Sequence, residues 1–141
     1  MNTILEHLDV LLKIAALGQL FIAGLGLALP RIMGWKSAIQ DMPILLREVF
    51  VIHGWFISFT CAIFGVLSFR FAEAIAHQEH EMLRWFAALV GAFWALRCVM
   101  QWTHYSREHW QSIPRETVIH WLLFFGYGAW AVVYFFAAFH R

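Results

Sequence analysis

Four stretches of this chain run for twenty residues or more with very little charge, and few folds are open to a polypeptide that contains them. They cover about Ile4 to Leu29, Ile44 to Phe69, Met82 to Thr103 and Glu116 to Phe139. A helix needs about 20 mostly apolar residues to cross roughly 30 Å of hydrocarbon, and inside lipid it must satisfy its own backbone polar groups. The second stretch has no Asp, Glu, Lys or Arg after Glu48, and the fourth has none after its first residue. Composition agrees, with 62% hydrophobic residues and 13% charged. The expected fold is an all-α integral membrane protein, a single four-helix transmembrane domain over residues 1–141 packed as a bundle. The connections are about 10 to 15 residues long, so any chemistry must lie between helices or on partner proteins.

Polar residues punctuate these spans unevenly. Asp9, Lys13 and Gln19 interrupt the first, and Pro30 is expected to mark its end. Its flank "MNTILEHLD" is acidic and its apolar run is longer than that of a cleaved signal, so it reads as a retained helix. The third span carries Arg97 and Gln101 in its last third. Pro43 and Pro114 stand where the second and fourth helices should begin, a position that tolerates a missing donor.

Loop charges set the expected orientation, because Lys and Arg favour the cytoplasmic side. The connections after the first and third spans hold Arg31, Lys36, Arg47, Arg107 and Arg115; the opposite side holds Arg70, Arg84 and Arg141. Both termini are therefore expected outside the cytoplasm, with the protein in a bacterial inner membrane. Trp35, Trp102, Trp110 and Trp121 fall near the cytoplasmic interface, where amphipathic rings settle. The stretch "RIMGWKSAIQDMPILLREVF" mixes apolar residues with charges, so part of it is expected to lie along the membrane surface.

One phrase is written nearly twice, "REVFVIH" ending at His53 and "RETVIH" ending at His120. The offset of 67 residues also pairs Gly24 with Gly91, Met33 with Met100, Trp35 with Trp102 and Ala62 with Ala129. That pattern allows two duplicated helical hairpins, although an apolar composition inflates chance identity. With or without duplication, His53 and His120 enter from the same side at matching depth. His120, Tyr127 and Tyr134 recur at seven-residue spacing with Leu123 and Ala131 between them, a single helical stripe. The corresponding stripe on the second helix is His53, Phe56, Thr60 and Leu67, and Arg97, Gln101, His104 and Glu108 share a face of the third.

This gathers His53, His120, His104, Gln101 and Arg97, with Glu48 and Glu116 above them, at one end of the bundle. Ionisable groups within a membrane are costly and usually face the bundle interior, so the gathering is a candidate site. Two imidazoles on facing helices suit axial ligation of haem b, with Arg97 and Gln101 beside it and Gly54, Gly126 and Gly128 leaving room for a flat ring. A chlorophyll-type pigment uses the same ligand. A non-haem metal held by His53, His104 and His120, with Glu48 or Glu116, is the alternative set. Histidine-box chemistry from "HYSREH" and "HQEHE" is rejected because the topology puts those stretches on opposite sides. Equally, histidines near helix ends often serve only as helix-to-helix glue.

Cys61 and Cys98 are solitary within spans and read as small apolar residues. No nucleotide loop, CxxC or nucleic-acid motif is present, so nucleic acid is not an expected partner. The expectation is a small membrane subunit that binds a tetrapyrrole through His53 and His120 for electron transfer. Its partners would be the lipid bilayer and other membrane subunits or further copies of itself. The alternatives are a non-catalytic scaffold or accessory subunit of a membrane complex, and a small metal-dependent or quinone-reactive membrane enzyme. Whether the chain is an enzyme is left open by the residues themselves.

Overall fold

The computed structural model describes residues 6–104 and 114–140, with the side chains of 114–116 excepted. The described residues are almost entirely helical, in the order α1 (Leu8–Ile32), α2 (Lys36–Gln40), α3 (Ile44–Arg70), α4 (Ala72–Ala76), α5 (Glu81–Thr103) and α6 (Pro114–Phe139). α1, α3, α5 and α6 are each long and apolar enough to cross a membrane. The protein is an all-α membrane protein, and its four long helices fit the expected four-helix bundle. Pro114 opens α6, where its missing N–H costs nothing.

The end of α1 corrects the expected boundary. Pro30 lies inside the helix, which continues to Ile32, because a proline in the last turn removes one hydrogen bond without forcing a stop. Termination falls to Gly34, whose φ of +66° is the left-handed conformation that favours glycine. The Gly34 amide bonds back to Arg31 O at 3.3 Å and the Trp35 amide to Pro30 O at 3.0 Å, the paired bonds of a glycine-terminated helix. The chain then reverses into the short α2, part of the stretch expected along the membrane surface.

The chain divides into two compact units, 13–71 and 72–141 with the residues up to 12. In the first, α1 and α3 approach through small residues. A Cβ on Gly65 would stand 2.7 Å from Leu20 Cγ and 3.0 Å from Ala16 O, and one on Gly26 would stand 2.7 Å from Ser58 Oγ. The buried residues of α3 are Ser58, Cys61, Gly65 and Ser68, a stripe at three- and four-residue spacing. Small residues let backbones approach where lipid supplies no hydrophobic drive between helices. The stripe expected to pack, through His53 and Phe56, is exposed instead. The reason is that α3 is apolar on nearly every side, so hydropathy does not mark its packing face.

In the second unit α5 and α6 run antiparallel. A Cβ on Gly91 would meet the Phe135 ring at 3.0 Å, Trp94 meets Trp130 edge-on at 4.7 Å, and Cys98 Sγ donates to Phe124 O at 3.4 Å. His120, Tyr127, Ala131 and Tyr134 are all buried, so the expected α6 stripe is the packing face. At the far end Gln78, in a left-handed conformation (φ 52°), donates its amide to Ala137 O at 3.0 Å and His140 O at 2.8 Å. Arg84 donates to Ala138 O at 3.3 Å. Together they satisfy carbonyls that the end of α6 would otherwise leave bare.

The offset of 67 does not carry over to the packing of α3 and α6. His53 is exposed whereas His120 is buried, and the buried Ser58 and Gly65 correspond to the exposed Phe125 and Val132. In α1 and α5, by contrast, Ala16 and Ala23 and their counterparts Leu83 and Val90 are all buried.

Candidate functional site

Three polar side chains expected at one end of the helices form a continuous chain of hydrogen bonds. Arg97 and Gln101 are one turn apart on α5, so they share a face, and Arg97 Nη1 donates to Gln101 Oε1 at 3.0 Å. Gln101 Nε2 lies 3.1 Å from His120 Nδ1 on α6. Gln101 and His120 are only 3% and 4% exposed.

The chemistry of these groups fixes the direction of each bond. A guanidinium has donors and no acceptor and does not lose its proton in a protein. Arg97 therefore holds the Gln101 oxygen toward itself and turns the amide nitrogen toward His120. That nitrogen only donates, so His120 Nδ1 must accept with its lone pair, and the neutral ring carries its proton on Nε2. Turning the amide over would set two donors against each other at Arg97.

Rings enclose this chain. Arg97 Cζ sits 5.0 Å from the Tyr127 ring centre, within cation–π range. Tyr127 stacks on Trp94 with centres 5.2 Å apart and planes inclined by 20°. The His120 ring meets Trp121 edge-on at 5.7 Å. Beside them Cys98, Val99, Trp102, Trp121 and Phe124 line an apolar groove of about 500 Å³. Periodicity placed Tyr127 on the face of His120, but the stack with Trp94 had no signal in the sequence beyond the abundance of rings.

His53 has the opposite tautomer. It is exposed on α3, and its Nδ1 lies 2.9 Å from Val49 O. A carbonyl only accepts, so Nδ1 carries the proton and the lone pair of the neutral ring is on Nε2. This backbone-anchored arrangement is the one that metal-ligating imidazoles commonly adopt. His104 is exposed at the end of α5. The Thr103 hydroxyl donates to Val99 O at 3.0 Å, so His104 Nδ1, 2.8 Å from Thr103 Oγ1, is the donor of that pair.

His53 belongs to the unit 13–71, and His104 and His120 to the other. Among the described residues no three of His, Cys, Asp and Glu gather as metal ligands. Glu48 is exposed. Glu108, Arg107, His109 and Trp110, and the side chains of Arg115 and Glu116, lie outside the described residues. Comparison with protein-family models, with curated proteins and with solved structures gives no match to this chain.

Proposed function

We propose that the chain is a small integral membrane subunit that holds a tetrapyrrole, haem b first and a chlorophyll-type pigment second, and serves electron transfer beside a larger membrane partner. The proposal places it in a bacterial inner membrane with both termini outside the cytoplasm, from the loop charges.

The observation that carries this reading is the Val49 carbonyl's hold on His53 Nδ1, which leaves Nε2 as the ligating atom. The next residue is Gly54, where an added Cβ would meet nothing within 4 Å, so a flat ring has room to approach. A bound haem would supply one-electron exchange at its iron. His53 would hold the group through Nε2 as it stands. His120 offers no such lone pair, because its Nδ1 accepts from Gln101 and its Nε2 carries the proton.

The test is a visible absorption spectrum of the detergent-solubilised protein. A Soret band that disappears in His53→Ala and survives in His77→Ala supports the reading. A colourless protein from cells with ample haem, still colourless after haem is added, overturns it.

A second reading, a non-catalytic accessory subunit of a membrane complex, draws on α3. From Ile44 to Ile57 only Arg47 is even partly covered, and Leu45, Phe50, Trp55 and Phe56 are all exposed. On that reading the Arg97, Gln101 and His120 chain is a structural clasp, and the purified protein is colourless and travels with other membrane subunits.

A further inference from the structure

The turn after α1 brings together two cations that the sequence separates by four residues. Gly34 reverses the chain, and the reversal sets α2 back against the last turn of α1. Pro30, Arg31, Lys36, Ile39 and Gln40 then line a groove of about 340 Å³. Arg31 and Lys36 are exposed, while Pro30 and Ile39, partly buried, form its apolar wall. Asp41 and Glu48, the acidic residues nearest in sequence, are not among its walls.

The surroundings of the groove say what kind of anion it suits. It opens at the end of a helix long enough to span a membrane. Ile32, Met33, Trp35 and Met42 flank it and are all exposed. Large apolar side chains and a tryptophan beside cations at the end of a span are the pattern of a segment at headgroup level. A guanidinium binds two phosphate oxygens side by side, and an ammonium adds a compact point charge. The apolar wall suits the glycerol backbone and upper acyl chain that a lipid carries and a free phosphate lacks.

We propose that Arg31 and Lys36 bind the phosphate of an anionic phospholipid headgroup at the end of α1. Lipid held there fixes the α1 to α3 connection at the membrane surface. The inference depends on the membrane spans alone and is independent of any cofactor at His53.

The test uses the full chain in mixed micelles of phosphatidylcholine and phosphatidylglycerol, with retained lipid counted by mass spectrometry of the intact protein. The native chain is expected to retain phosphatidylglycerol in preference. The double variant Arg31→Gln, Lys36→Gln is expected to lose that preference by roughly tenfold or more, from about 1 kcal/mol of attraction per basic side chain. The exchanged variant Arg31→Lys, Lys36→Arg should keep most of it, and Arg70→Gln all of it. Equal retention by the native chain and the double variant overturns the site. A parallel sample holds inorganic phosphate alone. Phosphate adducts that need Arg31 and Lys36, without preference for the anionic lipid, would assign the groove to a soluble phosphate and overturn the lipid proposal.

Discussion

Gln101 donates its amide to His120 Nδ1 across the α5–α6 interface at 3.1 Å, and Arg97, donating to the same amide's oxygen, allows no other direction. A tautomer is thus set by a residue that does not touch the imidazole. Nitrogen NMR of histidine-labelled protein should show the His120 proton on Nε2. In Gln101→Glu the carboxylate can accept from both neighbours, and the proton should move to Nδ1. A native ring already protonated at Nδ1 would overturn the direction assigned to the chain.

The energetic worth of that clasp is modest. Polar bonds between membrane helices average about 0.6 kcal/mol and reach about 1.7 kcal/mol. Breaking this one also leaves a buried imidazole nitrogen without its donor, so Gln101→Leu should cost about 1 to 2 kcal/mol. Unfolding in mixed detergent micelles would measure it. His53→Ala should change stability by less than about 0.5 kcal/mol, since the exposed His53 bonds within its own helix. A large loss at His53 would mean that its ring supports the fold, and its spectral test would then no longer isolate a ligand.

Glycines provide a contrast along one hairpin. At Gly65 a methyl group would stand 3.0 Å from the Ala16 carbonyl as well as against Leu20, and backbone cannot turn aside as a side chain can. Gly65→Ala should therefore destabilise the protein by about 1 to 3 kcal/mol. Gly24 has open space around a new methyl, so Gly24→Ala should be neutral or stabilising by up to about 1 kcal/mol, the helix propensity difference. If both substitutions behave alike, α1 and α3 do not pack through this stripe.

The long helices were legible because length and hydropathy alone define a span, and because Pro43 and Pro114 sit where a helix can accept them. What was misread required knowledge of which face packs. Pro30 looked like a stop, but the stop belongs to the positive φ at Gly34. The second helix offered His53 and Phe56 as a stripe, yet lipid and protein interior are equally apolar, and only the small residues Ser58, Cys61, Gly65 and Ser68 mark close approach. Within the candidate site, the shared face of Arg97 and Gln101 followed from their spacing. That His120 lies at the same end of the helices followed from depth, but its pairing with Gln101 and the direction of the bonds required all three partners in place. Nothing in the sequence pointed to Gln78, because a side chain that reaches 59 residues ahead to Ala137 leaves no local pattern.

The Gln78 amide donates to Ala137 O and His140 O, while His140 Nδ1 lies 2.9 Å from Phe136 O and 3.1 Å from Gln78 Nε2. Gln78, in the segment that precedes α5, thus covers the Ala137 carbonyl in the last turn of α6 and that of His140 just beyond it. Gln78→Ala should remove that cover at a cost of about 1 kcal/mol. Hydrogen exchange should quicken for the amides of residues 136 to 140, the only turn that loses support, while those near Tyr127 keep their rates. Gln78→Gly would isolate the cap from the backbone: glycine relaxes the left-handed φ of 52° yet cannot donate, so the fraying should persist although the local strain is gone. Unchanged exchange at the end of α6 in both variants would show that the Gln78 amide is not what holds the final turn.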